Sequence, residues 1–373
     1  MLEVVFWAAV GLILYTHAGY PLLLWVVARV ARPRAIPRPV EGEPRLSLIV
    51  AARDEEAVIA DKVRNALALD YPRDRLEVIV VSDGSTDATA ERARAAGADT
   101  VLELPHGGKV RAQDAGVDAA AGEVLVFSDA NTRLAPDAAR RLVGALGDGV
   151  GYVCGHVHFT GDDGANQEGV YWRYETAVRS LESRLGSVTA GNGGLYATRR
   201  ESYIRVDPRM GHDLSLPFNM VKRGWRAVYE PEARGVEKMT PTNEEEYRRK
   251  RRMMSRTWLI LLRGGILSPR GYSPLYALQV VSHRLLRYLT PFLHLIAIGA
   301  NIALLDDGWV YVVTLALQVA LLAGAPLLAG AIPWRPLQLA RYYVLVTAAP
   351  AAGLWDSLRH PVSAGWEKAE GTR

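Results

Sequence analysis

The chain has 373 residues, 49% of them hydrophobic, and its 44 Lys and Arg against 40 Asp and Glu leave a net charge of +4. So small an excess excludes a dedicated nucleic-acid binder, which carries a concentrated basic face. The single cysteine, Cys154, excludes a disulfide framework or a cysteine-based zinc site. A soluble enzyme with 23% charged residues is rarely this apolar, so the average conceals two kinds of segment.

The first lies at the N-terminus. Val4 to Ala28 is a run of 25 residues without a formal charge, longer than the roughly 20 that a helix needs to cross a bilayer. Only Glu3 precedes it, whereas a cleaved signal peptide would begin with a basic region. Arg29, Arg32 and Arg34 follow it and mark a cytoplasmic end by the positive-inside rule. A transmembrane helix is expected over residues 1–30. Residues 31–44 are proline-rich and read as an extended linker.

A catalytic-sized domain is expected over residues 45–258. Leu46–Val50, Leu76–Val81, Thr100–Leu104 and Val124–Phe127 are short apolar runs, rich in β-branched residues, separated by amphipathic stretches. Strands alternating with helices in this way predict an α/β fold with a mostly parallel sheet and helices on both faces. Ligands of such sheets bind beyond the carboxyl ends of the strands, where this chain places Glu55, Asp83 and Asp129. An Asp there can simply cap the next helix. In Asp83-Gly84, however, the glycine also lets the backbone turn close to a ligand. Gathered carboxylates suit a divalent cation, which can bridge them to a diphosphate. Neither G-x-G-x-x-G nor a Walker A motif is present.

Residues 259–285 read as a connecting or interfacial segment, and 286–358 as C-terminal membrane helices. Tyr288–Leu305 and Gly308–Trp334 are uncharged runs of 18 and 27 residues meeting at Asp306-Asp307. Arg284, Arg287, Arg335 and Arg341 flank the open ends of this hairpin and place them in the cytoplasm. Tyr342–Trp355 has only 14 residues and contains Pro350. It reads either as a third span or as an interfacial helix. Residues 359–373 form a tail.

Several motifs in order resemble family 2 inverting glycosyltransferases: Ile49-Val50-Ala51-Ala52-Arg53-Asp54-Glu55, Asp70-Tyr71-Pro72, Val80 to Asp87, Gly108-Lys109, Phe127 to Thr132, and Gly211-His212-Asp213-Leu214. The resemblance spans residues 44 to 258, and the flanking helices match the membrane-bound branch. It implies a GT-A fold, a UDP- or GDP-sugar donor, a lipid-linked or glycan acceptor and a divalent cation, Mg²⁺ or Mn²⁺. Carried over position by position, Ala52 and Glu55 line the nucleotide pocket, Asp83 binds the base or ribose, and Lys109 lies near the nucleotide. Asp129 and Asn131 hold the cation, and Asp213 is the general base; the bland reading of Asp213 is a helix cap. The chain departs from the family pattern at three places. D-x-D reads Asp129-Ala130-Asn131, the acid pair before the base reads His212-Asp213, and Asp114 stands where relatives carry Asn.

The glycine-dense stretch from Ala190 to Tyr196 would let an acceptor approach the backbone. Arg248 to Arg252 form a basic run close to the lipid surface, where each basic residue gains about 1 kcal/mol from anionic headgroups. Arg252, Arg256 and Trp258 are candidates for contact with diphosphate or acceptor. They stand where polymer-making relatives carry Q-x-x-R-W, a motif that this chain lacks. The expected function is therefore a membrane-anchored, non-processive glycosyltransferase of the inner membrane. A processive polysaccharide synthase and an inactive scaffold of the same fold are the alternatives.

Overall fold

The computed structural model describes residues 1–31, 42–160, 167–238, 243–332 and 334–365. Most of the 31–44 linker, Arg32 and Arg34 included, and residues 366–373 of the tail lie outside the described residues.

Helix α1 (Leu2–Val30) leads to a sheet domain. Its strands are β1 (Leu46–Ala52), β2 (Leu76–Asp83), β3 (Thr100–Leu104), β4 (Val124–Asp129), β5 (Arg133–Leu134), β6 (Val150–Thr160), β7 (Leu195–Arg199) and β8 (Arg226–Lys238). Among the described residues they form one eight-stranded sheet in the order β3-β2-β1-β4-β7-β6-β8-β5. The β3-β2-β1-β4 half is parallel, as the apolar runs predict; β7 then pairs antiparallel to both β4 and β6. All seven residues of β1 are buried, because its two faces feed two separate cores. Leu46, Leu48 and Val50 meet α2 (Ile59–Leu67), and Ile49 and Ala51 meet α4 (Lys109–Ala119), α3 being the short helix Thr89–Ala95. The parallel register sets Ala51 beside Asp129 and Ala52 beside Ser82, so three strand ends open on one edge.

The remaining helices are α5 (Ala138–Ala145), α6 (Gln167–Leu185), α7 (His212–Lys222), α8 (Asn243–Arg263), α9 (Pro274–Ala303), α10 (Trp309–Leu328) and α11 (Arg335–Arg359). Helices α1, α9 and α10 are long and apolar enough to cross a membrane. Phe6 and Ala9 of α1 pack on Ala297 and Ala300 of α9, and Tyr20 and Leu24 rest on Val178 of α6.

One feature differs from the sequence reading. Helix α9 begins 14 residues before Tyr288, so Arg284 and Arg287 lie within it rather than at its edge. Both are drawn inward, Arg284 to the Thr189 hydroxyl at 2.8 Å and Arg287 to the Glu175 carboxylate. The stretch containing Pro350 is one continuous helix, α11, that lies along α8 and is not among the three membrane-length helices. Asp356 accepts two hydrogen bonds of 2.6 Å from Arg251, and Gly353 has no side chain to keep it from Met254 and Ser255.

Candidate active site

The turns after β1 and β2 are locked together. Asp54 has a left-handed backbone (φ 49°), its carboxylate accepting from the Thr86 N–H at 2.7 Å. The Glu55 N–H donates to the Thr89 hydroxyl at 2.7 Å, and the Glu55 side chain is buried. Asp83, at the end of β2, is 1% exposed and accepts from the N–H groups of Gly107 and Gly108 at 2.7 and 2.9 Å and pairs with His106 Nδ1 at 2.9 Å. Gly84 makes this turn possible. Its φ is +67°, and a Cβ there would stand 2.7 Å from the His106 nitrogen. Gly84→Ala is expected to cost about 2 kcal/mol of stability and to loosen the 106–108 turn. A thermal melt together with titration of UDP and GDP checks this, and a variant that matches the parent in both would count against the turn's role.

Beyond the strand ends lies a cavity of about 380 Å³. Glu55, Lys109, Asp129, Asn131, Asp213, Arg252 and Arg256 all line it, so seven of the residues singled out in the sequence share one cleft. Lys109 Nζ donates to the Asp129 carboxylate and, at 3.3 Å, to the Gly193 carbonyl. Asp213 sits in the first turn of α7, whose cap residue is Gly211, so its carboxylate is not the helix cap. The Asp213 carbonyl accepts from the Gly191 N–H at 2.8 Å, which ties the glycine-dense loop to this turn.

Ala52, Asp83 and Trp258 are not among the lining residues. Ala52 is wholly buried in the sheet, and the Asp83 carboxylate is taken up by its own turn. Trp258 is core: its indole N–H donates to the Pro350 carbonyl at 2.8 Å and its ring meets Phe292 edge-on. Asp114 accepts from the Tyr203 hydroxyl at 2.7 Å.

Three residues join the site that motif reading passed over or noted only as a departure. His212 shares its Nδ1 with the Tyr196 hydroxyl at 2.7 Å, while its buried Nε2 has no partner among the described residues. Burial lowers its pKa to about 3, so the ring is neutral. Glu237, from β8, bonds the Thr132 hydroxyl, and burial followed by the nearby charge of Asp129 raises its pKa. Lys62 lies behind the cavity, donating to the Ser128 hydroxyl and the Thr132 carbonyl at 2.7 Å each; burial lowers its pKa to about 7. Cys154 is buried, with its thiol pushed up to about 11, and is inert.

The C-terminal segment crosses the mouth of the cavity. Arg256 donates to the Gly365 carbonyl, and the Ala364 carbonyl lies where a side chain at Gly108 would be. Asp129 and Asn131 offer hard oxygen donors that fit Mg²⁺ or Mn²⁺. Among the described residues no three His, Cys, Asp or Glu side chains form an all-protein cage, so such an ion would be shared with the ligand's phosphates.

Residues 47–206 match the family model described as glycosyl transferase family 2. Residues 47–206 are thus a family 2 glycosyltransferase region. The chain is 36% identical over 115 residues to a beta-monoglucosyldiacylglycerol synthase of Nostoc sp., a match that covers 29% of this glycosyltransferase and only a quarter of the relative (25%). An N-acetylglucosaminyltransferase of Rhizobium meliloti is 26% identical over 354 residues, covering 88% of this chain and 77% of the relative. In fold, the glycosyltransferase resembles a mannosyltransferase from Pyrobaculum calidifontis, solved with GDP-Man and Mn²⁺, at a TM-score of 0.72. The identity is 24%, with 96% of this chain and 99% of that one covered. The architecture is GT-A.

Proposed function

We propose that this glycosyltransferase moves a single sugar from a UDP- or GDP-sugar to a lipid-linked or glycan acceptor, with inversion at the anomeric carbon. The reading rests on one arrangement: Glu55, Lys109, Asp129 and Asp213 face one cavity at the carboxyl edge of the parallel strands. The acceptor hydroxyl attacks the anomeric carbon as the bond to the diphosphate oxygen breaks, and the Asp213 carboxylate takes the hydroxyl proton. The products are the glycoside and the free nucleoside diphosphate. Asp129 and Asn131 would hold Mg²⁺ or Mn²⁺, which offsets the charge that the diphosphate gains on leaving. Lys109, Arg252 and Arg256 supply further positive charge at the cavity wall.

Helices α1, α9 and α10 support a multi-pass anchor in the inner membrane with the sheet domain on the cytoplasmic side. We divide the chain accordingly into an N-terminal span (1–30), a linker (31–44), a catalytic domain that begins at 45 and closes with α8, a connecting segment (264–273), membrane helices (274–328), the helix α11 and a tail. An acceptor at the lipid surface is favoured by the relative named for a glycolipid product.

The test is nucleoside diphosphate release from membranes containing the full chain, run over a panel of nucleotide sugars. One donor is expected to give release that EDTA abolishes and Mn²⁺ or Mg²⁺ restores, with a product carrying one added sugar of inverted configuration. Release indifferent to EDTA would refute the cation reading. A ladder of products would make the enzyme processive.

A further inference from the structure

The first acidic position of the D-x-D-like motif is filled, by Asp129, and the second is not, because Asn131 carries an uncharged amide. A Mg²⁺-like ion is held in phosphate-transfer sites by one or two carboxylates together with the substrate's phosphates. The cavity contains a second carboxylate beside this motif, contributed by a strand more than 100 residues further along the chain. We propose that Glu237 is the second acidic ligand of the donor-bound cation, supplying the charge that Asn131 lacks. This rests on the glycosyltransferase reading given above and adds to it a residue outside the motif.

Four observations carry the assignment. Glu237 lines the same cavity as Asp129 and Asn131. Its Oε1 accepts from the hydroxyl of Thr132, the residue next to Asn131, so the carboxylate is tethered to the motif itself. Room for it is made by Gly194: a Cβ there would run into Glu237 Oε1. The fourth observation is independent of the acids. His212 lines the same cavity and is only 4% exposed, and its buried Nε2 has no partner among the described residues. A buried polar atom without a partner is what a ligand-completed site leaves when only the protein is present.

Among the described residues the carboxylate is not one half of an ion pair, although the charges of Lys109 and Arg249 act on it. Lys109 is bonded to Asp129, and the Lys62 ammonium is spent on the Ser128 hydroxyl and the Thr132 carbonyl. The hydrogen bond of Glu237 is to a neutral hydroxyl, which orients a carboxylate without neutralising it.

The experiment measures Mn²⁺ binding to the detergent-purified full chain by the loss of the free-ion electron paramagnetic resonance signal, alone and with saturating UDP or GDP. Glu237→Gln is expected to weaken Mn²⁺ binding in the presence of nucleotide by at least about tenfold, or about 1.4 kcal/mol. Asn131→Ala, which removes only an uncharged donor, is expected to weaken it less than Glu237→Gln does. Asn131→Asp placed in the Glu237→Gln background is expected to recover most of the loss, since it returns an acid to the motif. A purely structural role for Glu237 would not give that rescue. Parental Mn²⁺ affinity in Glu237→Gln, or no recovery in the double variant, would overturn the proposal. Glu237→Asp keeps the charge and provides the reading if the amide variant fails to fold; parental binding is then lost only in part. Asp129→Asn separates the two levels: if it too binds Mn²⁺ as the parent does, the failure is of the cation reading as a whole rather than of Glu237.

Discussion

Asp213→Asn is expected to lower the transfer rate by about 10³-fold while changing donor affinity by less than about twofold. The substitution is isosteric and removes only the ability to take a proton. The backbone link from Gly191 to the Asp213 carbonyl is untouched, so the glycine-dense loop should keep its place. Because Gly211 begins the helix, neither state loses a side-chain cap, and the melting temperature should hold. The neighbouring His212 cannot substitute as base by the ordinary route: its Nδ1 is engaged by Tyr196, and its Nε2 is closed off from solvent. Single-turnover rates with the donor identified in the release assay, paired with calorimetric donor titration, separate chemistry from binding. A variant that keeps more than a tenth of the parental rate would remove Asp213 from the role of base. One that loses donor binding in parallel would place it in the pocket instead.

The part of this site that is legible in the sequence is the part built from consecutive residues. Leu46–Ala52 is apolar but for Ser47 because both faces of a central parallel strand are buried, and Asp83 and Asp129 stand out because each ends such a run. Parallel register then brings those ends together with no further information needed. Glu237 shows where this reading stops. It lies on a strand whose outer residues are exposed and charged, and nothing local distinguishes it from Glu230 or Glu232. It matters only because β8 returns beside β6 and delivers it to Thr132. Trp258 fails in the opposite direction: its place near a motif suggests ligand contact, but α11 packs over it and takes its indole N–H. Likewise Arg284 and Arg287 look like flanking charges until α6 is seen to offer Glu175 and Glu182 inside the helix layer.

Those acids set the second large effect. Glu182 is 0% exposed and carries its charge among Tyr20 of α1, at 2.7 Å, His283 of α9, at 2.8 Å, and the Thr189 N–H, at 3.0 Å. Burial by itself would raise this carboxyl, but His283, Arg284 and the Tyr20 hydroxyl outweigh it and hold the pKa at about 2. One carboxylate therefore joins the N-terminal helix, α9 and the loop that leads to Gly191. Removing one member of a buried charged set costs about 3–5 kcal/mol, since the partners stay desolvated without it. Glu182→Gln is thus expected to lower the melting temperature of the detergent-purified chain by about 10 °C. The sign of the pH dependence follows from the depressed pKa. The contribution is complete above the unfolded value, about 4.3, and is lost as pH falls from there toward about 2. The gap between parent and variant should accordingly stay constant from neutral pH to about pH 5 and narrow below it. A gap that is absent at pH 7, or that widens on acidification, would mean that the carboxylate is not what holds the helix layer to the sheet domain.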